Sequence, residues 1–301
     1  CALPISAHTY EIYGPLVNGV TEVIFEGTPN TPHYGRHFEV IERYGVTNYY
    51  TAPTLIRSLM GAFPDGPEPG KYDFSSVRLL GSVGESINPQ AWKWLRKHVG
   101  GGTASFIDTW WQSETGSTIC SPRPHDPAFA PEGTFPEGTP HCTPLPGCAT
   151  REVPGVSVRV VDEHGDLVEP GKQGFIVVDK IGPSMARTVW GDPQRYLNSY
   201  WKHYGTRGWF LAGDGAKVDD EGNVYILGRI DDVINISGHR LSTIEIESAL
   251  VTHPAVVEAG VCPVEDELTG HQAVAYVTLT DEGRALTEDE LKAALTEHVR
   301  E

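Results

Sequence analysis

The feature that most constrains the fold is an alternation of strand-like and helix-like segments near the middle of the chain. VRLLGS predicts a strand, and the glycine-rich turn after it leads to Asn88-Pro89, an N-cap followed by a first-turn proline. AWKWLRKHV then predicts a helix, and TASFID predicts the next strand. Strand, helix and strand in this sequence indicate a parallel sheet with helices wound around it.

Polar stretches follow the ends of both strands, Gly84-Glu85-Ser86 after the first and Asp108 to Ser113 after the second. In open α/β sheets, ligands bind beyond the carboxyl ends of the strands. The second stretch also contains the adjacent residues Trp110 and Trp111. Neighbouring residues point to opposite faces of a strand and lie about 100° apart on a helix, so one core face rarely takes both rings.

Other segments complete the expected large domain, residues 1–230. A helix is expected over residues 35–44, and GVTNYYTAP is expected to form a buried strand that leads into a loop. Residues 121–150, rich in Pro, Gly and His, predict a long surface loop. From Val156 onward the pattern predicts short antiparallel strands, with a turn at Asp219–Asn223.

Residues 231–301 predict a separate, smaller α+β domain. Its expected elements are a strand in VINIS, a helix IEIESALVTH, two further strands and a final helix. Ser242 or Thr243 is expected to cap the first helix, and Thr287 with Glu290 has the pattern of a capping box for the last one.

Composition excludes several classes of function. The chain has 301 residues and a formal net charge of −17, which argues against binding to nucleic acids or anionic membranes in general. No apolar run is long enough to cross a bilayer, and the start does not resemble a signal peptide. We therefore expect a cytoplasmic protein whose partners are small molecules.

Cysteine usage indicates neither a disulfide framework nor a zinc site, because the number is odd and no C-x-x-C spacing occurs. The five are Cys1, Cys120, Cys142, Cys148 and Cys262. Cys142 and Cys148 could hold a metal ion, although chance placement of two loop thiols is the favoured interpretation. The opening residues CALPIS match a reading frame of a sequencing adapter, so we expect residues 1–6 to be an artefact and the chain to be truncated at both ends.

Four motif groups occur in a diagnostic order: GSVGES, DTWWQSETG, GDGA with GRIDDVINISGHR, and ESALVTHP. With YGPL and TAPT before them, they resemble the acetyl-CoA synthetase family of the adenylate-forming (ANL) superfamily, from about His8 to Arg300. Such enzymes make an acyl-adenylate from ATP and a carboxylate, release pyrophosphate, and pass the acyl group to the thiol of CoA. The resemblance implies an α/β fold: a large domain with a wound sheet and a small β-barrel-like part, followed by a mobile and here incomplete C-terminal domain.

The resemblance also implies roles for individual residues. Those expected to bind ATP or AMP are Gly84, Glu85, Ser86, Asp108, Thr109, Trp110, Trp111, Gln112, Ser113, Asp214, Arg229 and Arg240. Within this set, Asp214 is expected to accept from both ribose hydroxyls, Arg229 to reach the ribose, and Arg240 and Ser113 to lie near the α-phosphate. Trp110 is expected to face the nucleotide, whereas Trp111 and Val83 are expected to bound the acyl pocket.

Further roles implied by the family concern metals, CoA and domain movement. Glu114 is expected to hold Mg²⁺ against the phosphates. The residues expected at the CoA site are Asn30, Ser237 and Arg300, with Gly238 keeping the pantetheine tunnel open. Asp231 is expected to be the hinge. A structural cation is expected at Val251, His253 and Val256, two of them through backbone carbonyls.

Departures from the family pattern affect the expected activity. The Ser/Thr/Gly-rich phosphate loop and the late catalytic lysine do not occur between Cys1 and Glu301. The Val-Thr pair of the acetate pocket would fall at Ile5-Ser6, and two motif positions carry Ser86 for Pro and Ser113 for Thr. We therefore expect the 301-residue chain alone not to turn over acetate, ATP and CoA.

Two alternatives remain open at this point. One is a synthetase for propionate or another short acyl chain, which Trp111 alone does not separate from an acetate enzyme. The other is a non-catalytic nucleotide-binding relative, against which the presence of Glu114, Asp214, Arg229 and Arg240 argues.

Overall fold

The structure is a computed structural model, and it describes residues 8–122, 145–230, 234–236, 239–266 and 270–300. The strands of these residues form three sheets, one parallel and two antiparallel. Among the described helices, none combines the length and apolar character that a membrane span requires.

The first part of the chain forms the parallel sheet and the helices around it. In chain order its elements are a helical turn His8–Tyr13, α1 Gly14–Val17, α2 Arg36–Tyr44, β1 Asn48–Thr51, α3 Pro53–Ala62, β2 Leu79–Ser82, α4 Pro89–His98 and β3 Ser105–Asp108. The strands lie in the order β1-β2-β3 and pair in parallel, with a helix in each connection. The predicted wound α/β sheet is therefore confirmed.

Local chemistry explains where these helices begin. The side chain of Asn88 accepts from the backbone N–H of Ala91 at 2.7 Å, as expected for an N-cap. The prediction that the strand in GVTNYYTAP leads into a loop is wrong. Helix α3 begins directly after β1 with Pro53, because the fixed φ of proline suits the first turn of a helix. Phe38, Leu80 and Leu95 are fully buried between the sheet and its helices.

The second sheet is antiparallel, with the strand order β4-β5-β6-β7. Its elements are β4 Ser157–Val161, β5 Gln173–Lys180, α5 Pro193–Tyr196, the helical turns Leu197–Trp201 and Gly205–Arg207, β6 Phe210–Val218 and β7 Val224–Arg229. The predicted turn before β7 is confirmed, because Asp219 accepts from the backbone of Asn223 at 2.7 Å. This four-stranded sheet lies in the segment for which a small β-barrel-like part was expected.

The prediction of a surface loop over residues 121–150 is wrong at the C-terminal end of this range. Residues 123–144 lie outside the described residues. Cys148, Ala149 and Thr150 are buried, and Thr150 pairs with Val224 of β7. Packing against the second sheet therefore overrides the loop-like composition here.

The third sheet has the order β10-β11-β8-β9 and carries the last helices. Its elements are β8 Ile234–Ile236, β9 His239–Leu241, α6 Thr243–Thr252, β10 Val256–Asp266, β11 Gly270–Leu279, α7 Asp281–Arg284 and α8 Glu288–Arg300. The capping box is confirmed, since Glu290 accepts from the backbone and hydroxyl of Thr287 at 3.0 and 2.7 Å. Ser242 holds the N-cap position of α6 without capping it; its hydroxyl donates instead to the Leu227 carbonyl at 2.7 Å.

The hydrogen bond from Ser242 to Leu227 is one of several contacts that join the last part of the chain to the two earlier sheets and their helices. Lys217 of β6 lies 3.4 Å from Glu245 of α6, and Arg57 of α3 lies 4.0 Å from Glu258 of β10. The last part of the chain is thus packed against both of the earlier sheets in this pose.

Candidate functional site

A cavity of about 1000 Å³ lies at the carboxyl ends of the parallel strands, where the three sheets meet. The predicted site residues that line it are Val83, Gly84, Glu85, Ser86, Asp108, Thr109, Trp110, Trp111, Gln112, Ser113, Glu114, Asp214 and Arg229. Thr243, Ile244, Glu247 and Val261 line it from the third sheet and its helix. The structure therefore brings together predicted site residues that are far apart in the sequence, from Val83 to Arg229.

Asp108 ends β3 and lies at the buried side of this cavity. It is 7% exposed, and the hydroxyl of Ser82, on the adjacent strand β2, donates to its Oδ1 at 2.7 Å. Burial raises the pKa of Asp108 from 3.8 to about 7, while the Ser82 hydrogen bond opposes this rise. The carboxyl group therefore changes charge near neutral pH.

This raised pKa predicts a pH-dependent stability. Because folded Asp108 binds its proton more tightly than the unfolded chain does, its contribution is most favourable below about pH 4 and decreases as the pH rises towards 7. We expect Asp108→Asn to raise the free energy of unfolding at pH 8 by about 2 kcal/mol, because the amide carries no charge and still accepts from Ser82. Urea unfolding at pH 4 and pH 8 measures the difference.

The matched control is Asp220→Asn, at an exposed position of the turn before β7. This control should leave the pH profile of stability unchanged. If Asp108→Asn were no more stable than the parent at pH 8, the ionised state of Asp108 would not be destabilising.

Asp214 accepts hydrogen bonds from three other side chains of the site. It lies on β6, is 6% exposed, and accepts at Oδ2 from the Trp110 indole at 2.9 Å and from the Gln112 amide at 2.7 Å. Arg229, its partner on β7, donates to Oδ1 at 3.3 Å. Burial raises the pKa of Asp214, and these three donors oppose the rise.

Gly213 allows Arg229 to approach this carboxylate. Its φ is +77°, and a Cβ at this position would lie 2.9 Å from the Arg229 guanidinium. A side chain at residue 213 would thus both strain the backbone and displace the arginine. Gly213 therefore has a packing role beside the charged pair.

The two adjacent tryptophans have different environments. Trp110 is 6% exposed and packs in the core of the second sheet with Ile119, Phe210 and Ala212, although an edge of it reaches the cavity. Trp111 is half-buried and lines the cavity beside Val83. Their division between core and cavity explains how one chain segment accommodates both rings.

Glu114 has a partner that the sequence did not indicate. The hydroxyl of Tyr200 donates to its Oε1 at 2.6 Å, and the Tyr200 ring stacks on Phe210 with centroids 5.0 Å apart. Tyr200 is 86 residues away in a different part of the fold. The sequence also did not indicate Ser82 as the partner of Asp108, because no local pattern pairs residues that are 26 positions apart.

The loop Gly84–Ser86 is attached at both sides. Glu85 accepts from Thr54 and from Arg57, the latter at 3.2 Å. Ser86, which replaces the proline of the family motif, donates its hydroxyl to the Ile226 carbonyl at 2.9 Å. This hydrogen bond tethers the loop to β7 at the position where the proline ring is absent.

The remaining predicted residues are placed only in part. Neither Asn30 nor Arg300 is among the described residues that line the cavity, although Pro29 is. Asp231, Ser237 and Gly238 lie outside the described residues. The backbone of Arg240 belongs to β9 and pairs with Asn235, but its side chain is not described.

The expected structural cation site lies at the end of α6. There the Nδ1 atom of His253 accepts from the Ala255 backbone at 3.1 Å, and the His253 carbonyl accepts from Val256 at 3.0 Å. The His253 ring contacts His298 of α8, with centroids 5.1 Å apart. A cation bound by Val251, His253 and Val256 stays a prediction.

Comparison with known protein families identifies the family to which the chain belongs. Residues 3–190 match the family model of the AMP-binding enzyme, and residues 245–301 match that of the AMP-binding enzyme C-terminal domain. The chain belongs to the AMP-binding enzyme family. The predicted adenylate-forming family is therefore confirmed.

Curated members of the family extend this result. The chain is 47% identical over 99% of its length to an acetyl-coenzyme A synthetase of Mycolicibacterium smegmatis, and covers 30% of that protein. It is 50% identical over 91% of its length to one of Mycobacterium tuberculosis strain H37Rv, covering 41% of it, and 47% identical over 98% to one of Streptomyces coelicolor, covering 42%. The chain thus spans between about a third and two fifths of these relatives.

A solved structure supports the fold. The crystal structure of the anthranilate CoA ligase AuaEII in complex with anthranoyl-AMP matches with a TM-score of 0.76 and 24% identity, over 97% of this chain and 50% of that chain. At this identity the match shows the fold alone.

Proposed function

We propose that the chain forms the nucleotide and acyl site of an AMP-forming acetate–CoA ligase, which makes acetyl-CoA, AMP and pyrophosphate through an acetyl-adenylate. The observation that carries the proposal is the cavity in which Gly84–Ser86, Asp108–Glu114 and the Asp214–Arg229 pair converge. The identity of 47–50% to acetyl-coenzyme A synthetases supports acetate as the carboxylate. A cytoplasmic location remains part of this proposal.

In this proposal the nucleotide lies between two walls of the cavity. Gly84–Ser86 and Asp108–Ser113 contact the adenine, Asp214 and Arg229 bind the ribose, and Ser113 and Arg240 approach the α-phosphate. Arginine suits phosphate because its planar guanidinium gives several charged donors. Val83 and Trp111 bound the acyl end, so that the carboxylate and α-phosphate are held next to each other.

Glu114 is the proposed ligand of Mg²⁺. Among the described residues no group of three His, Cys, Asp or Glu side chains could hold a metal ion without help. A single carboxylate at a cavity fits Mg²⁺, which is commonly bound by one or two carboxylates together with substrate phosphates. When bound, the ion neutralises phosphate charge, and the Tyr200 hydrogen bond fixes the carboxylate that would hold it.

The C-terminal part of the chain is proposed to serve the second half-reaction. The domain boundary is placed at Asp231, between β7 and β8, and this residue is the proposed hinge. Asn30, Ser237 and Arg300 are the proposed contacts to CoA, and Gly238 lies beside the proposed tunnel for its pantetheine.

A chimera provides the test, because the chain covers 42% of the Streptomyces coelicolor relative. Residues 8–300 would replace the equivalent segment of that protein, and acetate-dependent exchange of pyrophosphate into ATP and formation of acetyl-CoA would be measured. We expect both activities with acetate, and lower kcat/KM with propionate. A chimera that is folded but gives neither activity would contradict the proposal. A higher kcat/KM with propionate than with acetate would contradict acetate as the substrate and indicate propionate instead.

A further inference from the structure

We propose that Tyr50 is a positioning residue for Trp111, and that its hydroxyl thereby helps to set the length of the carboxylate that the cavity accepts. This inference rests on the proposed function, in which Trp111 bounds the acyl end of the cavity. It adds a specificity-determining residue that the sequence motifs did not indicate.

The first support is the path of the Tyr50 side chain across the parallel sheet. Tyr50 lies on β1 beside Gly81 of β2, and a Cβ at Gly81 would overlap the Tyr50 ring. Because the glycine has no side chain, the ring can cross β2 and reach Thr109, directly after β3. The ring thus connects the first strand of the sheet to the segment that carries both tryptophans.

The second support is the direction of the hydrogen bonds at the Tyr50 hydroxyl. The Thr109 hydroxyl donates to the Ser82 carbonyl at 3.1 Å and lies 2.5 Å from the Tyr50 hydroxyl. A hydroxyl has one proton to donate, so the Thr109 oxygen accepts from Tyr50. The proton of Tyr50 is therefore used, and its oxygen can act only as an acceptor towards other groups.

The third support is the Trp111 indole, whose N–H can donate but not accept. Tyr50 and Trp111 both line the cavity. Burial raises the pKa of Tyr50 to about 12, and hydrogen bonds to the Thr109 hydroxyl and the Trp111 indole oppose this rise. The indole donor thus meets the remaining acceptor of Tyr50, and this contact favours one orientation of the indole.

A consequence follows for the acyl end of the cavity. An indole held by Tyr50 presents a fixed wall beside Val83, and a carboxylate with a longer chain would overlap with it. Without the Tyr50 hydroxyl the indole can tilt at lower cost and make room for one more methylene group. Tyr50 therefore acts on chain length through Trp111.

The experiment is a double-mutant cycle in the chimera of the proposed function. Tyr50→Phe keeps the ring that crosses Gly81 and removes the hydroxyl. We expect it to raise the ratio of kcat/KM for propionate to that for acetate about fivefold, the effect of one lost hydrogen bond, with the KM for ATP within about twofold of the parent. In the Trp111→Gly background the same substitution should change this ratio by less than about twofold, because the group on which Tyr50 acts is absent.

The matched control is Tyr204→Phe. Tyr204 is buried against Val161 and Val177 of the second sheet, and its hydroxyl donates to the Asp162 carbonyl at 2.7 Å. This variant loses the same hydroxyl group from a different part of the fold. It should leave the ratio of propionate to acetate unchanged.

Each outcome has a distinct meaning. An unchanged ratio in Tyr50→Phe would overturn the positioning role. An equal change of the ratio with and without the Trp111 side chain would overturn it as well, and would indicate that Tyr50 contacts the substrate directly. A parent chimera with neither half-reaction would contradict the proposed function itself, before any variant is compared.

Discussion

Trp111→Gly in the chimera should move the substrate preference from acetate towards longer carboxylates by roughly 100-fold. Removal of the indole from the cavity beside Val83 leaves room for three to four methylene groups, each contributing about 0.8 kcal/mol when buried. The ratio of kcat/KM for hexanoate to that for acetate, from pyrophosphate release, measures the change.

Trp190→Gly is the matched control, since Trp190 is 99% exposed and undergoes the same substitution. It should leave the chain-length profile unaltered. If Trp111→Gly retained activity with an unaltered preference for acetate, Trp111 would not bound the acyl pocket.

The sequence predicted the wound sheet well because its signals are local. Asn88-Pro89 specifies the start of α4 through one hydrogen bond and one fixed φ, and strand ends place Asp108 and Gly84 at the same edge. Where tertiary packing decides, sequence patterns were less informative. Ser242 occupies an N-cap position, yet its hydroxyl binds Leu227 across the fold.

The site shows the same division between local and long-range information. Motif order identified the residues around the cavity, but not the contacts that orient them, since Ser82, Tyr200 and Trp110 act on partners 26, 86 and 104 residues away. Such pairs become visible only when the sheets are assembled. The resemblance to the family supplied expected residue roles, and the structure supplied the hydrogen bonds that join these residues to one another.

The proposed rotation of the C-terminal domain about Asp231 gives the second large expected effect. In the described pose the third sheet is held by the Ser242–Leu227 hydrogen bond at 2.7 Å and by Lys217 near Glu245 at 3.4 Å. Rotation about Asp231 would have to break both contacts. Asp231→Pro fixes φ near −65° and should therefore hold one pose.

In the chimera we expect Asp231→Pro to keep acetate-dependent pyrophosphate exchange while acetyl-CoA formation falls about 100-fold, as a shift of about 3 kcal/mol between the two poses would produce. Asp231→Ala is the control: it removes the same carboxylate, leaves φ free, and should retain both half-reactions. Gly238→Leu should also spare exchange, but by filling the proposed tunnel with a side chain. Because unfolding would abolish both half-reactions together, equal loss of exchange and of thioester formation in Asp231→Pro and Gly238→Leu would contradict the hinge and the tunnel alike.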